Sequence, residues 1–258
     1  MNDHLLTNKE NGVLYLTLNR PDRLNAFSPE MMSELEEELI KAKENNDVKV
    51  VVLSGAGRSF SAGGDVKTMG NTTPQQIYDH IGRLNDVIRC IKSLEKPVIA
   101  AVHGFAAGAA FNLAMACDIV LAAASSKFAL SFTQVGLMSD GGGSYFLPKL
   151  IGIHRAKECM FNGEPIKAET AKEWGIVNQL FDETEMEASV KTYALKTATG
   201  PVRAFGMMKK AMDHSLNASL DEILEEERIS QTLLASSEDH QEGVNAFKEK
   251  RKPVFSGL

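Results

Sequence analysis

Two short segments rich in glycine and alanine have the residue types that bring backbone amides close to a ligand. They are residues 60–65 (FSAGGD) and 104–110 (GFAAGAA), and each follows a predicted buried strand. Small residues let a ligand approach the main chain, and free N–H groups at a turn or a helix N-terminus bind negatively charged oxygen. Two such N–H groups that converge would form an oxyanion hole. Close packing of a helix on a sheet also selects glycine and alanine, so composition alone leaves both interpretations open.

The common signatures of other enzyme classes are absent from the sequence. Residues 55–60 (GAGRSF) follow a predicted strand but lack the third glycine of the dinucleotide-binding fingerprint. No GxxxxGKS/T, HExxH or GxSxG motif occurs, and the six histidines show no spacing typical of metal ligands. A metal-dependent or nucleotide-dependent enzyme is therefore disfavoured.

Composition indicates a soluble globular protein. The 258 residues carry 28 Lys and Arg against 34 Asp and Glu, which gives a formal net charge of −6. This acidic balance disfavours broad binding to nucleic acid or to anionic membranes, although it permits a local basic pocket. The longest apolar stretch, residues 98–124, contains too many small and polar residues for a membrane span. The three cysteines form no CxxC pair and the N-terminus has no secretory pattern, so we expect a cytoplasmic protein.

Hydrophobic periodicity predicts alternating strands and helices, which is typical of the α/β class. Strands are predicted at residues 13–18, 48–53, 98–102 and 119–123, and helices from residue 29 onward, at 74–94 and at 108–116. Ser28 and Pro29 supply an N-cap and a first-turn proline for the first helix. After Pro201 only helical periodicity is found, so we expect a core of residues 1–200 and a helical region of residues 201–258.

Several motifs in a fixed order resemble the crotonase family, also called the enoyl-CoA hydratase/isomerase superfamily. The resemblance runs from Val13 to Phe255, and its motifs are LNRPDRLNAF (18–27), FSAGGDV (60–66), AVHGFAAG (101–108), CDI (117–119) and GVNAFKEKR (243–251). It implies an α/β fold, a spiral of ββα repeats with a C-terminal helical trimerisation region. It also implies a homotrimer or a hexamer that acts on acyl-CoA thioesters, with CoA as part of the substrate and no separate cofactor or metal.

The resemblance implies that the shared reaction step is the stabilisation of an enolate at the thioester carbonyl by two backbone N–H groups. By position, these N–H groups belong to Gly64 and Ala109. The family usually has glycine at the second position. Ala109 keeps the N–H and adds only a methyl group, so we expect the oxyanion hole to persist.

Two positions depart from the family's hydratase pattern, in which two glutamates hold and activate water. These positions hold Asn112 and Phe132, and neither side chain can act as a general base. Hydration by two carboxylates is therefore disfavoured. Asn112 is expected to hydrogen-bond a carboxyl group or a bound water, or else to cap local backbone. Phe132 is expected to shape the acyl pocket, with plain core packing as the alternative.

One acid, Asp140, stands among glycine and apolar residues in the stretch 136–148 (GLMSDGGGSYFLP). Several isomerases of the family place their catalytic Asp here, and haloaromatic acyl-CoA dehalogenases place a nucleophilic Asp here. The pattern is most similar to the ring-epoxide and enoyl-CoA isomerases of phenylacetate breakdown. A carboxylate in an apolar pocket has a raised pKa, which suits a proton shuttle. The alternative is that Asp140 caps a helix starting near Gly143.

The resemblance also assigns contacts with the substrate. It places adenine and pantetheine against the backbone of Arg23 and Leu24 and of residues 62–67, and a C-terminal lysine of a neighbouring subunit at the CoA. A solvated helix end is the alternative for that lysine. The residues expected at the substrate are Arg23, Leu24, Ala62, Asp65, Val66, Lys67, Phe132 and Lys250.

The leading hypothesis is an acyl-CoA isomerase that shifts a C=C bond, or isomerises a ring-epoxide CoA ester, with Asp140 as the proton shuttle. The alternative is an enoyl-CoA hydratase of fatty-acid or aromatic-acid breakdown, in which Asp140 and Asn112 position water. An RNA-binding member would need a lysine-rich helix, whereas residues 34–38 are mostly glutamate. A serine peptidase on the same scaffold would need a Ser–His–Asp set, and no histidine stands at a motif position that supports one.

Overall fold

A computed structural model describes residues 3–65 and 72–257 of the chain. Within them the main sheet has six strands, whose order is β1-β2-β3-β4-β6-β9, and a second sheet has the order β5-β7-β8. In the main sheet β1 is antiparallel to β2 and the other neighbours are parallel. The strands are β1 Leu5–Glu10, β2 Val13–Leu18, β3 Val50–Gly55, β4 Val98–Val102, β5 Phe105–Ala107, β6 Ile119–Ala123, β7 Lys127–Ala129, β8 Ile166–Lys167 and β9 Gln179–Phe181.

Helices account for most of the remaining described chain. They are α1 Pro29–Glu44, α2 Pro74–Ser93, α3 Ala109–Ala116, α4 Gly143–Ile151, α5 Ile153–Asn162, α6 Ala168–Glu173, α7 Met186–Ala198, α8 Val202–Ser215, α9 Leu220–Leu234 and α10 Glu238–Glu249. Two short 3-10 helices cover Pro21–Arg23 and Ser131–Val135. None of the helices in the described ranges is long and apolar enough to cross a membrane.

Local sequence explains where the first two long helices begin. The Ser28 hydroxyl accepts from Met31 N at 3.1 Å, and Pro29 occupies the first helical position of α1, as the sequence predicts. Thr73 and Gln76 form a reciprocal capping box at the start of α2. Both helices then bury an apolar stripe in the large core, because their buried residues recur at helical spacing.

The central strands β3 and β4 of the main sheet are buried on both faces. In β3, Val51 and Leu53 join the large core beneath α1, α2 and α3, whereas Val50 and Val52 join a smaller core beneath α7. Successive strand residues point to opposite faces, so a continuous apolar run suits a strand covered on both sides. The prediction of a strand in this run is confirmed, with its start shifted to Val50.

The C-terminal region consists of helices α8, α9 and α10, as helical periodicity predicts. The side chain of Lys209, which is only 6% exposed, connects this helical region to the core. Lys209 Nζ lies 2.8 Å from Asp118 Oδ2 and donates to Ile91 O at 2.7 Å. The division into domains at residue 200 stays a prediction.

Five strands were not predicted from the sequence. β1 carries mostly exposed residues, so it shows no buried alternation, and β5, β7, β8 and β9 have only two or three residues each. Such short strands form because they pair with strands distant in the sequence. They are too short to show a periodic pattern of hydrophobic residues.

Candidate active site

The two glycine- and alanine-rich segments lie side by side at the carboxyl end of the main sheet. One follows β3 and the other contains β5 and the start of α3. Ser61 N donates to Phe105 O at 3.1 Å, and Ala107 N donates to Ser61 O at 3.0 Å. These bonds join the segments in register, as the hypothesis of an oxyanion hole requires.

Gly63 brings the first segment directly against the amide of Ala109. A Cβ atom at Gly63 would lie 2.4 Å from Ala107 O and 3.0 Å from Ala109 N. Its φ of +76° also lies in the left-handed region that favours glycine. Only glycine therefore permits this close approach without displacing one of the two segments.

Gly64 N and Ala109 N are both available as hydrogen-bond donors. Ala109 is the first residue of α3, where the helix offers no intrahelical acceptor for its N–H. Neither N–H donates to an acceptor among the described residues. Two adjacent free amides can bind one oxyanion. Their assignment as the oxyanion hole stays a prediction.

Asp140 is half-buried, and its Oδ1 atom is inaccessible and has no hydrogen-bond partner among the described residues. Burial raises the pKa of its carboxyl group to about 6, against the lowering effect of a backbone hydrogen bond. The alternative that Asp140 caps the next helix is wrong. The N-cap of α4 is Gly142, with φ +86°, and no side chain caps this helix. The carboxyl group is therefore not used in a cap.

Asn112 holds the main chain of Asp140 rather than its carboxyl group. The Asn112 side chain is fully buried, and its Nδ2 donates to Asp140 O at 2.7 Å and to Ser139 Oγ at 3.0 Å. Its Oδ1 is buried without a partner in the described chain. Of the expected interactions, the bond to the carboxyl group is absent and a bond to backbone 28 residues away takes its place.

Helix α3 links Asp140 to the predicted oxyanion hole. Asn112 lies three residues after Ala109, about 4.5 Å along the helix axis and on nearly the same face. Glycine at position 143 allows the turn to approach Asn112 this closely, because a Cβ atom there would lie only 2.4 Å from Asn112 Oδ1. The carboxyl-bearing turn is thereby held one helical turn from the Ala109 amide.

Phe132 is half-buried and packs against the main core. Its ring lies 3.6 Å from the position that a Cβ atom would take at Gly108, the residue before Ala109. The side chain thus stands beside the start of α3, where an acyl pocket would begin. Its role as a pocket wall stays a prediction.

The predicted CoA-binding residues Arg23, Leu24 and Ala62 are close together. Arg23 ends a 3-10 helix, Leu24 follows in the left-handed conformation with φ +50°, and Ala62 N donates to Leu24 O at 2.8 Å. Asp65 forms an ion pair with Arg20 at 3.6 Å. This pair links the segment that carries Gly64 to the loop after β2, and the predicted substrate contact of Asp65 stays a prediction.

The remaining predicted CoA contacts are Val66, Lys67 and Lys250. Val66 and Lys67 lie outside the described residues. Lys250 is an exposed left-handed residue at the end of α10. The tail that follows is tied to Asp239 through Ser256 N at 2.6 Å and to Lys49, just before the start of β3. The tail therefore docks at the opposite end of β3 from residues 60–64.

Two buried polar residues at this site were not singled out from the sequence. Asn25 and Ser61 are both 0% exposed and hydrogen-bond the loops that surround Gly64. In the sequence, each of them is a polar residue inside a motif of small or apolar residues, which is the feature that could have indicated a buried hydrogen-bonding role. No cluster of His, Cys, Asp and Glu that could hold a metal ion occurs in residues 3–65 or 72–257.

Comparison with known proteins identifies the family. A family model described as Enoyl-CoA hydratase/isomerase matches residues 8–257, and the chain belongs to this family. The 1,2-epoxyphenylacetyl-CoA isomerase of Escherichia coli (strain K12) is 39% identical over 262 residues, covering 100% of both chains. A probable enoyl-CoA hydratase of Rhodobacter capsulatus is 37% identical over 95% of each chain. The crystal structure of an enoyl-CoA hydratase from Bacillus anthracis matches with a TM-score of 0.95 at 31% identity, covering 99% of this chain and 100% of that one.

These matches confirm the crotonase resemblance and the predicted fold class, including the C-terminal helical region. The chain is an enzyme of the hydratase/isomerase type that acts on acyl-CoA. The names of the relatives include both an isomerase and a hydratase, so the choice between these reactions depends on the site itself.

Proposed function

We propose that this enzyme is an acyl-CoA isomerase in which Asp140 shuttles a proton between two carbons of the acyl group. The observation that supports this most is the Asp140 carboxyl group. It has a buried oxygen without a partner in the described chain and a pKa raised by burial to about 6. A carboxyl group near the operating pH both removes and returns a proton efficiently.

The reaction begins at the thioester carbonyl. Its oxygen accepts hydrogen bonds from Gly64 N and Ala109 N, which stabilise the negative charge that develops on it. The Asp140 carboxylate removes a proton from C2 of a 3-enoyl thioester, and the electron pair passes into the dienolate. The protonated carboxyl then gives a proton to C4, which yields the 2-enoyl thioester and regenerates the carboxylate. Loss of one oxyanion-hole donor costs about 3 kcal/mol of transition-state stabilisation in a serine protease, and we expect a similar contribution from each amide here.

The same residues argue against two-carboxylate hydration. The two glutamate positions hold Asn112, whose amide is engaged with Asp140 O and Ser139 Oγ, and Phe132, which has no polar atom. One carboxyl group suffices to move a proton, whereas adding water requires a second group to hold the water. The name of the Escherichia coli relative makes a ring-epoxide CoA ester a further candidate substrate.

A hydratase is the second candidate, and one observation favours it. Asn112 Oδ1 and Asp140 Oδ1 are both buried acceptors without a partner in the described chain, and Asn112 bonds the main chain of Asp140. A buried water that donates to both oxygens would satisfy them. In this alternative Asp140 activates the water that Asn112 holds.

The two reactions are separated by supplying both substrates to the same preparation. We expect rapid conversion of 3-hexenoyl-CoA to 2-hexenoyl-CoA and slow hydration of crotonyl-CoA. Fast hydration of crotonyl-CoA by the wild-type enzyme would contradict the isomerase assignment and support the hydratase.

We also propose that the enzyme assembles as a trimer or as a hexamer through its C-terminal helices. Apolar side chains are exposed along α8–α10, and grooves of about 430 and 700 Å³ run between these helices. The most exposed of these side chains are Met208, Met212, Leu220 and Phe247. In such an assembly Lys250 would contact the CoA of a neighbouring subunit, since its own tail docks far from residues 60–64. Light scattering tests this, and a monomer in solution would contradict it.

A further inference from the structure

Ser61 is a buried serine that contacts both segments of the proposed oxyanion hole. It is 0% exposed and lies two residues before Gly63. A buried hydroxyl group is costly unless its hydrogen bonds are made. The partners of this hydroxyl group and of the Ser61 backbone therefore indicate what the residue does.

The backbone of Ser61 fixes the segment that leads to Ala109. Its N–H donates to Phe105 O at 3.1 Å, and its carbonyl accepts from Ala107 N at 3.0 Å. Residue 107 is followed directly by Gly108 and Ala109, the start of α3. The Ala109 amide is thus two residues from a backbone bond to Ser61.

The side chain of Ser61 fixes the segment that carries Gly64. Its Oγ lies 2.7 Å from Asn25 O and 3.0 Å from Gly63 N. A carbonyl oxygen can only accept, so the hydroxyl donates to Asn25 O and its lone pair accepts from Gly63 N. The turn at Gly63, with φ +76°, is held by this bond, and the amide of the next residue is Gly64 N.

The residue that anchors Ser61 is itself rigidly held. Asn25 Nδ2 donates to Ala56 O and to Ser59 O, both at 2.8 Å, and Asn25 Oδ1 accepts from Arg20 N at 2.9 Å. These bonds join the loop after β2 to the loop after β3. Through its bonds to Asn25 O and Gly63 N, Ser61 fixes the position of Gly63 relative to the joined loops.

We propose that Ser61 is a positioning residue that sets the spacing and orientation of the Gly64 and Ala109 amides relative to each other. This inference rests on the proposed oxyanion role of those two amides. It does not depend on whether the enzyme isomerises or hydrates. Removing the hydroxyl leaves Gly63 N and Asn25 O without this partner, and the glycine turn is then free to rotate Gly64 N away from the oxyanion.

Ser61→Ala is the test variant and Ser59→Ala is the matched control. Ser59 is 2% exposed in the same loop, and its hydroxyl makes no hydrogen bond to the described residues. We expect Ser61→Ala to lower kcat by about tenfold with KM changed less than about twofold, because misplaced groups lose transition-state contacts rather than ground-state binding. Ser59→Ala should retain the wild-type kcat. Ser61→Cys keeps the packing and a weaker donor, so an intermediate kcat is expected.

A spectroscopic probe separates this role from a merely structural one. The absorption of bound 4-(dimethylamino)cinnamoyl-CoA moves to longer wavelength when its carbonyl oxygen is polarised by hydrogen bonds. We expect a red shift with the wild type and Ser59→Ala, and a smaller red shift with saturated Ser61→Ala. Thermal unfolding of each variant is measured in parallel, and Ser61→Cys carries the same comparison if Ser61→Ala does not fold.

The results distinguish a failure of the role proposed for Ser61 from a failure of the proposed oxyanion hole. A full red shift and unchanged kcat in Ser61→Ala would overturn the role of Ser61 while leaving the oxyanion hole intact. Binding without a red shift in the wild type would overturn the oxyanion assignment, and the role of Ser61 with it.

Discussion

The side-chain amide of Asn112 donates to the backbone carbonyl oxygen of Asp140 across 2.7 Å, linking helix α3 to the turn before α4. The same helix begins with Ala109. One rigid element therefore carries a proposed oxyanion donor and holds the chain that bears the proposed proton shuttle. Such an arrangement keeps the two proposed reacting groups in a fixed relation to each other.

Replacing Asn112 by alanine should lower kcat by about tenfold, because the Asp140 turn loses its side-chain anchor. The change also leaves Ser139 Oγ without this donor, and we expect the free energy of unfolding to fall by about 1–3 kcal/mol. Steady-state kinetics and urea unfolding measure the two effects. A kcat equal to that of the wild type would show that the Asp140 turn is held without Asn112.

Asp140 predicts a specific dependence of activity on pH. The base is the carboxylate, so kcat/KM should rise as pH increases through the free-enzyme Asp140 pKa of about 6 and then level off. In Asp140→Asn this ascending limb should be absent from any residual activity. A limb that persists near pH 6 in this variant would assign it to another group.

The same carboxyl group should destabilise the folded protein at neutral pH. Its folded-state pKa of about 6 lies above the ordinary value of 3.8, so the folded state binds the proton more tightly than the unfolded state. The resulting stability is present below pH 3.8 and is lost as pH rises through 6, by up to about 3 kcal/mol. Asp140→Asn should therefore be more stable than the wild type at pH 7.5, with the difference shrinking at pH 4.5. Urea unfolding at one protein concentration checks this, and equal stability at pH 7.5 would contradict it.

Gly63→Ala should abolish activity, since its Cβ would lie 2.4 Å from Ala107 O and 3.0 Å from Ala109 N. We expect kcat to fall at least about 100-fold, as for loss of an oxyanion donor. The control is Gly82→Ala within α2, where a Cβ has no heavy atom of the described residues within 4 Å. Gly82→Ala should keep full activity and gain about 1 kcal/mol of stability. Near-normal activity in Gly63→Ala would contradict the close approach of the two segments.

The buried ion pair between Lys209 and Asp118 should dominate the attachment of the C-terminal helices. Lys209→Met strands the Asp118 carboxylate and should lower the free energy of unfolding by about 3–5 kcal/mol. The neighbouring Lys210 pairs with Glu95 in a largely exposed bridge, so Lys210→Met should cost less than about 1 kcal/mol. Urea unfolding compares the two variants, and equal losses would show that burial of the pair does not matter.

Helices and strands that are determined by neighbouring residues can be predicted from the sequence. The cap at Ser28, the stripe on α1 and the apolar run of β3 each follow from neighbouring residues, and each is found in the structure. Glycine and alanine composition located the two amide segments, because a close approach of one backbone segment to another requires small residues. The motif resemblance then pointed to the amides of Gly64 and Ala109.

Contacts between distant residues could not be predicted in this way. The sequence predicts that Asn112 bonds a carboxyl group, a bound water or local backbone, and the structure shows a bond to the distant main chain of Asp140. The helix cap suggested for Asp140 falls on Gly142, since a left-handed glycine turn redirects the chain there. The role of Ser61 could not be predicted, because its hydroxyl group bonds Asn25, which the fold of the loop after β2 brings beside the loop after β3.

The most direct test of the central claim is double-bond migration in deuterated water with the wild-type enzyme and with Asp140→Asn. Both proteins are given 3-hexenoyl-CoA, and the appearance of 2-hexenoyl-CoA and of deuterium at C4 is followed. We predict that the substitution, which keeps the size of the side chain, slows migration at least about 100-fold. Migration by Asp140→Asn at a rate near that of the wild type would contradict the assignment of Asp140 as the proton shuttle.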